Sequence, residues 1–346
     1  MGGNNTMRFF YLFQALLLVM TCATHVTAET ASQQIAAIEA TADENGVVKG
    51  NDGWLFLKEE LEHLGSKGFY GQDVLAVTKA AKPEFGDPLP AIIDFNSQLK
   101  QRGIELIFVP IPPKALIYPD KLPGNVGADV SSQLEQPYKD FYARLAEQGV
   151  QVLDLIPIFR KVRNEKQLYC KTDTHFSGIG LGLVATELSK IIRKHDWYTG
   201  IEKRKYSTQV KEVSIHGDLA VMQHTDAREN VSLEFVTNTA SGKAVQPDKS
   251  SPVLLLGDSH TLVFSVGGDL HSSGAGLLDQ LSNKLGFAMD LIGVRGSGAT
   301  PSRIKLYQRS RKDSSFLEKK KTIIWCLSAR ELTGSGGWRK IPVAKK

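Results

Sequence analysis

The sequence predicts an α/β fold: a parallel sheet with helices on both faces. Three observations carry this reading. Short, nearly continuous apolar runs recur, helical patterns alternate with them from about residue 88, and Gly or Pro ends the runs.

The elements run in chain order. Before the alternation, residues 29–87 hold a short helical leader (QQIAAIEATA), the segment GNDGWLFLKEELEHL and a Gly-rich loop. PLPAIIDFNSQLKQRG then places apolar residues at helical spacing, and IELIFVPIP is an apolar strand stopped by prolines. SSQLEQPYKDFYARLAEQG is a second helix and VQVLDL a second strand. FSGIGLGLVATELSKIIRKH is a third helix. PVLLLGD is a strand, and a mixed polar and apolar segment runs from it to Gly286. FAMDLIGV and KTIIWCLS are two further buried strands. Residues 200–250 alternate polar and apolar (KYSTQVKEVSI, VSLEFVTNTA), as strands with a solvated face do. They predict a small β insertion within one domain spanning residues 29–346. No period of 20 to 50 residues recurs, which argues against a repeat protein.

Composition bounds the partners. The chain of 346 residues is 42% hydrophobic and 23% charged, ordinary for a globular protein. Its net charge of +5 is spread out, with only short basic runs such as KKK at 319–321, so no nucleic-acid partner is expected. After Arg8 comes FFYLFQALLLVMTCA, too short for a comfortable span, ending in Val26-Thr27-Ala28. Residues 1–28 read as a secretory signal peptide, with an uncleaved N-terminal anchor as the competing reading. Cys22 lies in this segment after Val-Met-Thr, a poor lipoprotein signal. Export would leave Cys170 and Cys326, whose separation does not say whether they pair. With no Cys-x-x-Cys and no His-x-x-x-His, neither a metal nor a cofactor is expected.

Chemistry in such sheets gathers at the carboxyl ends of strands. PVLLLGDSH puts Ser259 at one, where Gly257 permits a close turn. Either Asp258 and Ser259 cap the next helix, or Ser259 is a nucleophile beside amides able to hold an oxyanion. A serine needs a base, and the base an orienting acid. KTDTHFSGIGLG supplies both: Asp173 and His175 stand two apart just before a helix, a pattern that a simple helix start would also produce. His260 adjoins the serine but should diverge from it. His216, His224 and His271 lie in polar surroundings and predict surface positions. A metal set of Asp173, His175 and His260 is the remaining alternative. Of the tryptophans, Trp54 and Trp325 sit in apolar runs and predict core positions, while Trp197 and Trp338 remain candidates for stacking on sugars.

Three ordered motifs, GNDGWLFLKEEL (50–61), KTDTHFS (171–177) and LLLGDSH (254–260), resemble the alginate O-acetyltransferase AlgJ/AlgX family. VPIPPKALIYPDKLP (109–123) and WCLSAREL (325–332) fit as well, so the similarity spans roughly residues 45–335. The resemblance implies an SGNH-hydrolase-like (flavodoxin-like) domain in permuted order, with Asp-x-His ahead of Gly-Asp-Ser. It places the triad on Ser259 as nucleophile, His175 as base then acid, and Asp173 as orienting carboxylate. The sequence departs from the family pattern at Phe176, commonly Trp, and at His260, commonly aromatic or small. The chain ends at residue 346, soon after WCLSAREL, which implies no C-terminal carbohydrate-binding module.

The implied function is an exported O-acetyltransferase working through an acetyl-serine. It would act in the periplasm, secreted or anchored to the inner membrane, with a polysaccharide such as alginate as acceptor and a membrane-bound acetyl-donor protein. The Ser259 N–H and a donor at Gly296 in VRGSG are the oxyanion candidates. Arg295 and Arg330, beyond strand ends, would hold a sugar carboxylate or the acetyl oxygen, unless they are surface arginines. The resemblance also brings Lys114 and Tyr118 near the cleft. An acetyl esterase with the same triad, or a binding component of an export complex with a disused site, are the alternatives.

Overall fold

The computed structural model describes residues 30–124 and 126–345. The reading of residues 1–28 as signal or anchor, and Cys22, lie outside the described residues.

In chain order the strands are β1 (Val47–Lys49), β2 (Leu55–Leu57), β3 (Glu105–Ile111), β4 (Gln151–Val152), β5 (Tyr206–Ile215), β6 (Glu229–Asn238), β7 (Val253–Gly257), β8 (Asp290–Gly293) and β9 (Thr322–Ser328). Five of them form one parallel sheet in the order β4-β3-β9-β7-β8. Counted from β7 and wrapped through the chain start, this order reads 2-1-3-4-5, the flavodoxin-like arrangement. The permutation implied by the order of the motifs is therefore present in the sheet itself.

Every residue of β7 and of β9 is buried. Successive strand side chains point to opposite faces, so both faces of the sheet are covered, which is why VLLLG and TIIWCLS carry no alternation. The covering elements include α1 (Leu89–Lys100), α2 (Ala128–Glu147), α3 (Gly178–Ile192), α5 (Leu277–Leu285) and α6 (Thr300–Lys312), whereas α4 (Asp218–Met222) packs on the small β1–β2 hairpin. One continuous core of buried residues runs from Ala31 to Val343. Trp54, Trp325 and Trp338 are buried in it, so Trp338 is not available to stack on a sugar.

Two local expectations change, and one helix forms where the sequence pattern supports no assignment. VQVLDL shortens to two paired residues, because the Asp154 carboxylate accepts from the Ile156 N–H at 2.9 Å and turns the chain into a helix. The mixed segment before Gly286 contains α5. Its Asp279 side chain accepts the Gly276 N–H at 3.0 Å, and Gly286 closes it with φ +78°. The segment between the last two strands forms α6, whose highly polar sequence TPSRIKLYQRSRK masks its period. The predicted β insertion is the antiparallel ribbon β5–β6, with α4 between its strands.

Candidate active site

The parallel register aligns Gly257 of β7 with Cys326 of β9, at the carboxyl edge of the sheet. A Cβ on Gly257 would stand 1.8 Å from the Cys326 carbonyl oxygen, so only glycine allows this approach. Cys170 and Cys326 are both buried free thiols. Beyond Gly257 the Asp258 carboxylate accepts from the Ser328 N–H at 2.7 Å, the His260 N–H at 2.9 Å and His260 Nδ1 at 3.2 Å. Burial alone would raise the Asp258 pKa, but the His260 ring, these donors and Arg330 hold it down at about 2. Asp258 and His260 are thus buried at the corner, while Ser259 lines the cleft.

His175 Nε2 lies 2.7 Å from Ser259 Oγ, and His175 Nδ1 lies 2.6 Å from Asp173 Oδ1. Two segments 84 positions apart thus meet in one hydrogen-bonded chain. Asp173 is saturated with donors: Oδ1 also accepts the His175 N–H at 2.9 Å, and Oδ2 accepts the Asp218 N–H at 2.8 Å and His271 Nε2 at 2.9 Å. Burial disfavours the charged imidazolium, yet the Asp173 carboxylate overrides it and raises the His175 pKa to about 9. Burial likewise opposes charge on Asp173, but His175 and His271 hold its carboxyl well below the usual range.

The Asp-x-His loop is held from three sides. Glu229 of β6 accepts from the Lys171 N–H at 2.9 Å, the Thr172 N–H at 2.8 Å and the Thr172 hydroxyl at 2.8 Å. Asp218, which opens α4, accepts the Thr174 N–H at 2.8 Å. A Cβ on Gly217 would fall 2.1 Å from the Thr172 carbonyl oxygen. The insertion therefore forms part of the site's frame. The third side is Lys114, whose Nζ donates to the carbonyls of Cys170 (3.1 Å), Lys171 (3.1 Å) and Asp173 (2.8 Å).

A cleft of about 660 Å³ opens over this chain of bonds. Asp173, His175, Ser259 and His271 form its floor. Val213, Ile215, Val221 and Met222 bring apolar surface to it, and Asp218, Asp269, Arg228 and Arg295 bring charges of both signs.

The other expected site residues fall elsewhere, with one exception. Arg295 lines the cleft, exposed, with Nη2 2.7 Å from Asp269 Oδ1. Gly296 and Arg330 line a neighbouring cavity of about 430 Å³ instead. Arg330 Nη1 is committed to Glu60 Oε1 and Ser328 Oγ, each at 3.2 Å. In the VRGSG segment the glycine against the serine corner is Gly298, whose Cβ position would stand 2.8 Å from the Asp258 nitrogen. Lys114 is fully buried, so it braces the loop and does not face the cleft. Tyr118 is also buried. Its hydroxyl donates to the Lys166 carbonyl at 3.0 Å and accepts the Leu168 N–H at 2.9 Å, which supports the segment leading into the loop.

Exchanging Lys114 for methionine is expected to lower stability by about 3 kcal/mol, because three buried carbonyls lose a charged donor. Denaturant unfolding of wild type and variant measures it, and an unchanged midpoint would contradict the bracing role.

Sequence reasoning missed His271, which lies in the cleft and not on the open surface, and Asp218 and Glu229. The flanking glycines of GGDLHSSG were a signal of unusual backbone around His271. The acids carried none, because ribbon pairing alone brings them to the loop. His260 is buried outside the cleft, 4.8 Å ring to ring from His175 and 5.2 Å from Phe176. The two departures from the family pattern thus pack against each other beside His175, and neither lines the cleft. Among the described residues, Asp173, His175 and Asp218, not His260, are the groups whose ligand atoms come within 4.8 Å of one another. Their facing atoms already bond to N–H and O–H groups within the loop.

Comparison with known proteins bears on this geometry. Residues 47–329 match the family described as SGNH hydrolase-like domain, acetyltransferase AlgX. A Pseudomonas aeruginosa protein named "Probable alginate O-acetylase AlgJ" is 31% identical over 175 residues, 50% of this chain and 40% of that protein. The Pseudomonas fluorescens protein of the same name is 26% identical over 228 residues, covering 62% of this chain and 53% of it. The chain spans about half the length of these curated relatives. Among solved structures, the O-acetyltransferase domain of Pseudomonas putida AlgJ superposes with a TM-score of 0.61 at 20% identity, covering 83% of this chain and 92% of that one. Pseudomonas aeruginosa AlgX superposes with 0.58 at 18%, covering 83% and 66%. Fold, motif order and the match across most of its length place this chain in the SGNH hydrolase-like acetyltransferase AlgX family.

Proposed function

We propose that the chain is an O-acetyltransferase that passes an acetyl group through Ser259 to a hydroxyl of a polysaccharide. The observation that carries the reading is the unbroken hydrogen-bonded chain from Ser259 Oγ through His175 to Asp173, open to a cleft. Ser259 Oγ attacks the carbonyl carbon of the donor ester while His175 Nε2 takes its proton. The donor's alcohol leaves with that proton, and the acetyl group remains on Ser259. An acceptor hydroxyl then gives its proton to His175 Nε2 and attacks the acetyl carbonyl. The C–Oγ bond breaks, and the proton returns to Ser259. Asp173 holds the ring with Nε2 toward the serine and stabilises the imidazolium that forms twice per cycle. Each positioned proton transfer contributes about 100- to 10,000-fold.

The curated relatives are named for alginate, and Arg228 in the cleft lining offers a cation to an acceptor's carboxylate, while Arg295 is paired with Asp269. The donor, in this reading, is a membrane-bound acetyl-carrying protein on the periplasmic side. No helix among the described residues is long and apolar enough to cross a membrane.

Incubation with an activated acetyl ester, then with alginate oligosaccharides, tests the reading. The expected results are a protein one acetyl group heavier at Ser259 and acetylated oligosaccharide. Hydrolysis unaffected by any acceptor would make the chain an esterase. Bound oligosaccharide without acyl-serine would make it a binding component.

The raised His175 pKa has a consequence for rate. Only the neutral ring accepts a proton, so a base with a raised pKa is increasingly disabled as pH falls. The acid limb of kcat/KM for the activated ester is therefore expected above the ordinary histidine value of about 6.5. A profile already flat at pH values near 6.5 would contradict the tight Asp173–His175 pair.

A further inference from the structure

His271 approaches the triad from the side opposite His175. Its Nε2 stands 2.9 Å from Asp173 Oδ2, and its side chain is 9% exposed. An ionised carboxylate only accepts, so Nε2 carries the proton and donates. The backbone that brings it there is unusual. His271 has φ +73° and ψ −77°, and the Ser272 N–H bonds the Leu270 carbonyl at 3.1 Å across it. These are the features of a γ-turn of positive φ, which is rare and strained for a residue with a side chain. Phe264, whose ring lies 5.5 Å from the imidazole, also has positive φ, at +58°. Such conformations cost about 1–3 kcal/mol each and persist where surrounding structure imposes them, often at functional sites. A loop built only to cap a surface has no need to strain two residues for one hydrogen bond to a carboxylate.

We infer that His271 is a positioning residue that, by donating to Asp173 Oδ2, weakens the carboxylate's hold on His175 and sets the pH range in which His175 accepts a proton. The inference deepens the acyl-transfer reading and rests on it. The physical basis is shared charge. A donor on Oδ2 draws density from Oδ1, so the imidazolium on the other side is held less strongly. Without that donor Asp173 is still placed by the Asp218 and His175 amides, so the carboxylate stays put and its pull on His175 grows. The remaining groups facing the pair are Asp218, whose Oδ2 lies 3.7 Å from His175 Nδ1, Asp258 beneath the serine, the His260 ring at 4.8 Å, and Lys114 Nζ on the Asp173 carbonyl at 2.8 Å. Asp269 and Arg295, paired to each other, line the same cleft. None of these replaces the bond from His271 to Oδ2.

The test compares wild type, His271→Phe and His271→Gln by kcat/KM against pH with an activated acetyl ester, and by NMR titration of the His175 ring. In His271→Phe the His175 midpoint is expected to move up by about one unit, which makes the loss of kcat/KM about tenfold larger below the acid limb than above it. His271→Gln, whose amide N–H can reach Oδ2, is expected to return most of the shift. A His271→Phe titration and profile that coincide with wild type would overturn the inference. So would an equal loss at every pH in both variants, which marks a merely structural role. The NMR titration needs no turnover, so a wild type that never forms acyl-serine defeats the functional reading without deciding this one.

Discussion

Replacing Ser259 with alanine is expected to reduce acetyl transfer by at least about 1,000-fold and to abolish the acetylated protein species. The hydroxyl is the only group removed, and it lines the cleft with His175 Nε2 as its partner at 2.7 Å. The freed imidazole nitrogen then faces the cleft, where water can bond to it, so stability should change by less than about 1 kcal/mol. What remains after the exchange is orientation and whatever oxyanion donors the corner provides, which accelerate reactions but form no covalent intermediate. Mass spectrometry after exposure to the activated ester, together with transfer rates, reads both effects. A variant that still acquires an acetyl group at the active site, or transfers at the wild-type rate, would remove Ser259 from the chemistry.

Asp173→Asn is expected to be at least as damaging, on the order of 10,000-fold in kcat, and unlike Ser259→Ala it should also destabilise the fold. Four donors converge on this carboxylate, two from His175 and one each from Asp218 and His271. A side-chain amide has one acceptor oxygen and a pair of hydrogens, so some of these donors would meet a donor. The imidazole is then free to take the tautomer with the proton on Nε2, which cannot accept from Ser259. Loss of charge-assisted bonds in a buried position costs about 3 kcal/mol. The pH dependence of that cost has a definite sign. The folded-state pKa of Asp173 is depressed, so its stabilisation is present above the ordinary carboxylate range and fades as pH falls below it. The stability gap between wild type and Asp173→Asn should therefore narrow in acid, as urea unfolding at neutral and acidic pH would show. A constant gap would mean that the carboxylate's charge is not what the four donors hold.

Much of the architecture was legible in the chain because it depends on local pattern. VLLLG and TIIWCLS read as strands covered on both faces since every position in them is apolar or small, and β7 and β9 are buried throughout. The ribbon β5–β6 was visible as alternation with a period of two. α6 was not, because it carries few apolar residues to mark its period. The pairing of Asp173 with His175 is a two-residue local contact, so spacing alone suggested it.

What only the tertiary structure decided are the roles set by distant partners. Lys114 and Tyr118 turned from cleft candidates into supports once carbonyls far along the chain took up their polar atoms. Arg330 turned inward to Glu60, and Gly296 fell in the neighbouring cavity. His271, 98 positions from Asp173, has flanking glycines that mark its backbone but do not name its partner. Hydrophobic period is written into consecutive residues, whereas the direction of a polar side chain is fixed by whichever donor or acceptor the folded backbone brings within about 3 Å. The sequence by itself therefore determined the parallel α/β sheet, the serine corner and the Asp-x-His loop. The closure of that loop onto the serine, and the ring of groups that holds it, belong to the tertiary structure.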